Sequence, residues 1–208
     1  VYAVYILASQ FAAGSIHLST QKHIAEFSNN QKKCDKIISS AVTATFVLAC
    51  LVAIIIFFLR GSFGNILKSP AISVSLIYTL PGLVFFAVNK TLMAILNGFR
   101  LMKGYALAQS LRYLLMVVFL ILAIILEFPG EKISFIFSGA EIVLFFYLIM
   151  RILSLFQFVW QWGDWLKTHL IFSYKALLGN IMVDVNTRVD VLILGYFASD
   201  RIVGIYSF

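Results

Sequence analysis

The stretch LLMVVFLILAII, residues 114–125, is apolar on every face it could present. A strand of a transmembrane barrel alternates apolar and polar side chains, so a run without alternation can only be a helix in apolar surroundings. The rest of the chain is of the same kind: 62% of its residues are apolar, 12% are charged, and 20 are Phe. An ordinary soluble domain is about half apolar and about a quarter charged. Several runs reach the roughly 20 residues needed to cross about 30 Å of hydrocarbon. The expected fold class is all-α, a polytopic transmembrane helical bundle.

The pattern places spans at 1–18, 40–59, 71–97, 105–126, 133–159 and 171–197, six helices followed by a stub. The connections are then 19–39, 60–70, 98–104, 127–132, 160–170 and 198–202. The chain opens VYAVYIL without an initiator Met or a charged leader region, unlike a signal peptide, and ends VGIYSF. It reads as a fragment cut at or inside a membrane helix at both ends.

Successive spans alternate in direction, so loops 19–39, 98–104 and 160–170 share one side. They carry Lys22, Lys32, Lys33, Lys36, Arg100, Lys103 and Lys167, whereas the opposite loops carry Arg60, Lys68, Lys132 and Arg201. Lys and Arg accumulate on the cytoplasmic side, which makes 19–39 a cytoplasmic loop and runs the first helix inward. The net charge of +7 is spread over membrane flanks, with no nucleic-acid motif or aromatic platform. Anionic lipid head groups account for it better than nucleic acid. Trp160, Trp162 and Trp165 cluster where headgroup-level anchors are expected. Cys34 and Cys50 have no C-x-x-C or Cys/His ligand spacing, so neither a metal nor a cofactor is expected.

Charges inside spans are informative, because an Asp or Arg near a helix centre costs about 2.5–3.5 kcal/mol and usually faces a bundle interior or a cavity. Lys90 and Arg112 lie about 10 Å from a cytoplasmic end, so each either snorkels or enters a cavity. Glu141 is too short to snorkel; it is buried against a neighbouring helix, paired with a cation, or protonated. Pro81, followed by Gly82, falls in the middle of the third span and would bend it as a hinge, with polar Asn89, Lys90, Thr91 and Asn97 beyond it.

The stretch DVNTRVDVLILGYF, 184–197, carries three charges in its first seven residues. At about 100° per residue from Asp184, Asn180 falls near −40°, Arg188 near 40°, Thr187 near −60°, Asn186 near 200° and Asp190 near 240°. Met182, Val185, Val189, Leu192 and Ile193 fill the remaining arc. That narrow apolar stripe predicts a helix lying mainly within the bundle, with Asp184 and Arg188 paired one turn apart. The pair either lines a hydrated path or only holds helices together.

The stretch DVLILGYFASDRIVGIYSF (190–208) resembles the helix-loop-helix of the polysaccharide flippase family, with an Asp ahead of a Leu-Gly-aromatic step and Val-Gly-Ile-Tyr opening the next helix. Residues 8–42, ASQFAAGSIHLSTQKHIAEFSNNQKKCDKIISSAV, are similar to that family's second helix and the basic loop after it. VGIYSF (203–208) can also be laid on YAVYIL (2–7), aligning Tyr206 with Tyr5 one six-helix period apart.

The resemblance implies a fragment of a two-lobe exporter of six plus six helices. Residues 1–160 would be most of the N-terminal lobe (helices two to six), and 161–208 the inter-lobe connection and the start of the C-terminal lobe. It implies a flippase of undecaprenyl-pyrophosphate-linked oligosaccharide in a bacterial inner membrane, such as an O-antigen unit. Membrane lipids and a polysaccharide polymerase with its chain-length regulator would be partners. A diphosphate crossing hydrocarbon needs cations in a hydrated cavity, which nominates Arg188, Lys90 and Arg112 for substrate binding. Asp184, Asp190 and Glu141 are then the candidates for ion coupling. A multidrug exporter of the same superfamily is the alternative. A polysaccharide-assembly enzyme is less expected: no Asp-x-Asp pair, phosphate loop or nucleophile elbow is present, and the expected outer loops are short.

Overall fold

The computed structural model describes residues 2–160, 163–198 and 200–206; of Ile181, Asp184, Thr187, Arg188, Leu192 and Asp200 it describes the backbone alone. The described residues form α1 (Tyr2–Ala13), α2 (Ile16–Phe27), α3 (Gln31–Ile66), α4 (Pro70–Gly98), α5 (Met102–Ile125), a 3₁₀ turn (Gly130–Lys132), α6 (Phe135–Ile152), α7 (Gly163–Phe197) and α8 (Asp200–Tyr206). Among the described residues four stretches are long and apolar enough to cross a membrane: α3, α4, α5 and Gly130–Ile152. These mark the chain as an all-α membrane protein.

The span expected over 1–18 is broken. Gly14 and Ser15 both take left-handed backbone angles, φ 51° and 56°, and separate α1 from α2. Glycine tolerates that region freely and serine does not. Asn180 of α7 donates to Ser15 Oγ at 2.8 Å, tying α7 to the break.

The loop expected over 19–39 is helical except at its turn. Residues Ile16, Ser19, Thr20 and Ile24 are buried at helical spacing on α2, and Asn30 caps α3 by accepting the Lys33 N–H at 3.1 Å. The expected connection 160–170 is likewise mostly the first two turns of α7. Conversely, the helix expected to reach 159 stops at Ile152. Beyond it the backbone is held by side chains of α3: Gln157 N–H donates to Asp35, Val159 N–H to Ser39 Oγ, and Gln31 donates to the Leu155 carbonyl.

Helix α4 is the axis of the bundle and packs against α1, α2, α3, α5 and α6. One core cluster joins Ile24, Ile37, Leu92, Ile95, Leu144 and Leu148, at the end where α2 turns into α3. The second is built from Tyr5, Ala8, Ala12, Ala49, Leu83 and Ala87. Between membrane helices the hydrophobic effect gives little attraction, so small residues that let backbones approach closely do the packing. The outward faces of α3 and α5 leave Leu51, Ile54, Phe58, Leu114, Val117 and Ile124 exposed, as lipid contact requires.

Helix α7 packs on α1, α2 and α3 and carries α8 at its end. Met182 and Ile193 of the expected lipid-facing stripe are exposed. The expectation that the polar arc lies within the bundle is corrected at Asn186 and Asp190, which are exposed as well, as is Val183.

Candidate functional site

Polar side chains placed in apolar spans meet in one cavity of about 510 Å³ between α1, α2, α4 and α5. Lys90 and Arg112 enter its wall from α4 and α5, beside His17, Gln21, Asn97 and Gln109, while Tyr2, Tyr5, Tyr105 and Tyr113 supply aromatic rings. Two of the three cations expected in a substrate cavity thus share one wall. Lys90 donates to Gln10 Oε1 at 3.0 Å.

Arg112 turns inward rather than snorkelling and is 7% exposed. Its Nε lies 2.7 Å from Glu141 Oε1. That N–H is not directed at the oxygen, so this contact is an ion pair, while Nη2 donates to Oε2 at 3.3 Å. Asn89 donates its amide to both Oε2 and the main-chain carbonyl of Glu141, each at 2.8 Å. A buried carboxylate needs a counter-charge and hydrogen bonds, and Glu141 has both. On its other side the Arg112 guanidinium lies 4.6 Å from the Phe86 ring centroid, a cation–π contact facing the cavity. Tyr5 packs edge-on against Phe86 and stacks on Phe137.

At Pro81 the missing N–H opens the ladder of α4, and a side chain from α6 fills the gap. Gly82 N–H donates to Ser138 Oγ at 2.8 Å, and Ser138 Oγ donates to the Tyr78 carbonyl at 2.5 Å. This hydroxyl bridges the Gly82 amide and the Tyr78 carbonyl beside the proline, as serines re-satisfy proline-broken membrane helices. Tyr5 Oη donates to the Gly82 carbonyl at 3.3 Å, linking the broken turn to the cavity wall.

The remaining expected site residues lie elsewhere. Asp190 is exposed on α7 and accepts from Tyr206 Oη at 2.8 Å, away from the cavity. The side chains of Asp184 and Arg188 fall outside the described residues. Gln10 and His17 belong to the site although the sequence reading passed over them; a polar residue within an apolar run was the available signal. Among the described residues no group of three His, Cys, Asp or Glu is placed to hold a metal ion.

His169 ties the N-terminal part of α7 to α2 and α3. Its Nε2 lies 3.2 Å from the Ile37 carbonyl and its Nδ1 2.8 Å from Ser19 Oγ. A carbonyl can only accept, so Nε2 carries the proton and Nδ1 accepts from the serine. Burial pushes its pKa down to about 4. Trp165 is half-buried and packs edge-on against His23 and Phe27, whereas Trp160 is exposed.

In comparisons with known proteins, no family model, no curated protein and no solved structure matches the chain significantly.

Proposed function

We propose that this chain is part of a membrane exporter that moves a lipid-linked anionic oligosaccharide from one leaflet to the other. The observation that carries the reading is the meeting of Lys90 and Arg112 in one polar cavity inside a bundle of membrane-length helices. Cations in a low-dielectric cavity favour anions over neutral solutes, and Arg suits a forked contact with a diphosphate. The tyrosines and amides on the same wall suit sugar rings and hydroxyls.

The resemblance of 8–42 and 190–208 to polysaccharide flippases gives the finer form of the proposal. The chain is then a fragment of a six-plus-six-helix exporter in a bacterial inner membrane, with the α2–α3 turn cytoplasmic. Its substrate is an undecaprenyl-pyrophosphate-linked unit, handed on to a polymerase and chain-length regulator. Lys90 and Arg112 hold the diphosphate, with Arg188 as a further candidate. Glu141 is the coupling candidate with a partner in place, because neutralising it would release Arg112 towards the cavity. Asp184 and Asp190 remain candidates along α7, and Pro81 with Ser138 is the joint about which α4 would bend.

Export of small amphipathic molecules is the second reading. It is favoured by a second cavity of about 570 Å³, lined by apolar residues including Leu7, Phe11, Ile55, Phe63 and Leu67. The test is surface polysaccharide in cells that depend on the full-length protein. Lys90→Gln is expected to remove it while membrane abundance stays normal. Full polysaccharide with that variant contradicts the role of Lys90, and dye export independent of the lipid-linked sugar would favour the second reading.

A further inference from the structure

His17 stands out among the described cavity residues for a buried ring nitrogen that the fold does not use. It is 9% exposed, and its Nδ1 is closed off from solvent without a hydrogen-bond partner. A buried polar atom in that condition costs about 1–3 kcal/mol unless something else satisfies it. The ring nevertheless stands in the wall of the polar cavity, two residues after the break at Gly14 and Ser15, in the company of Lys90 and Arg112.

The charged and titratable groups around it on that wall are Lys90 from α4, Arg112, Tyr105 and Tyr113 from α5, and Tyr2 and Tyr5 from α1. Helices α3 and α7, which also pack on α2, add none to the wall. Glu141, the carboxylate paired with Arg112, is engaged by Arg112 and Asn89 and does not line the cavity. A wall that already holds two cations disfavours a third, and an anion that neutralises them removes the penalty.

We propose that His17 is a third, proton-dependent cation of this cavity: an anion bound against Lys90 and Arg112 brings one proton onto the imidazole, so that anion binding and proton binding are linked. The proposal rests on the cavity being an anion site. The proton comes from solvent, no bond to the ligand forms, and the protonated ring donates to the bound anion. A His is the side chain suited to this, because its charge changes within the physiological range.

The experiment uses the full-length protein in detergent and a soluble diphosphate diester as the probe, whose charges do not titrate between about pH 5 and pH 8, where an imidazole changes its own. Affinity should rise as pH falls, approaching about tenfold per pH unit where a whole proton is taken up. In His17→Gln the rise should disappear, leaving the weak affinity of the wild type at high pH. No binding by the wild type at any pH overturns the anion cavity itself and this proposal with it. Binding that ignores pH in the wild type, or that keeps its pH dependence in His17→Gln, overturns the role of His17 alone. Should His17→Gln fail to fold, the His17 ring-carbon resonance of the wild type decides: a shift to the imidazolium position on adding the probe supports the proposal, and an unchanged resonance overturns it.

Discussion

Glu141 lies 2.7 Å from Arg112 across 29 residues of sequence, with the carboxylate fully buried and further held by Asn89. The pair fixes the side of α5 that faces the cavity. Removing one member leaves the other charged and without a partner, which costs about 3–5 kcal/mol, whereas replacing both with apolar groups costs much less. Glu141→Ala should therefore lower the melting temperature in detergent more than Glu141→Leu combined with Arg112→Met. Equal losses would show that the ion pair does not hold the helices as described.

Ser138 carries the broken turn of α4. With Ser138→Ala both Gly82 N–H and the Tyr78 carbonyl lose their relay, each at about 1–3 kcal/mol if left unsatisfied. Amide exchange at Gly82 should accelerate while exchange near Leu92 is unchanged. Gly82→Ala should be more damaging, because its Cβ would lie 2.8 Å from the Ser138 backbone. An exchange rate at Gly82 that does not change in Ser138→Ala would contradict the relay.

His169 gives a pH dependence of known sign. The folded protein holds it neutral with a pKa of about 4, below the ordinary 6.5, so the unfolded chain binds the proton more readily. Its contribution is complete above about pH 6.5 and is lost as pH falls towards 4, by at most on the order of 3 kcal/mol. Melting temperature should drop between pH 7 and pH 5, and drop less in His169→Gln. An identical drop in both proteins would remove His169 from the effect.

Much of the helical content was legible because lipid demands unbroken apolar runs. The third span, expected at 71–97, is Pro70–Gly98: proline opens it, and Arg100, just beyond its end, takes the left-handed φ of 60° that closes it. Polar connections were legible only as polarity, and 19–39 turned out to be two helix ends joined at 28–30, a geometry set by an Asn cap. The break at Gly14 and Ser15 left no mark in the hydropathy, because it depends on two backbone angles. Arg112 and Glu141 were each suspect for their depth. Their pairing was beyond reach, since no pattern along one helix says which face of another it meets.

The central claim is that Lys90 and Arg112 make the cavity an anion path, and Lys90 tests it more cleanly because Arg112 also balances Glu141. The direct measurement is leaflet-to-leaflet movement of a fluorescent lipid-diphosphate oligosaccharide in vesicles containing the full-length protein. Wild type should move it, and Lys90→Gln should slow movement by at least about tenfold, the worth of one charged hydrogen bond, with folding unchanged. Equal rates in the two proteins, or movement no faster than in empty vesicles, would contradict the account.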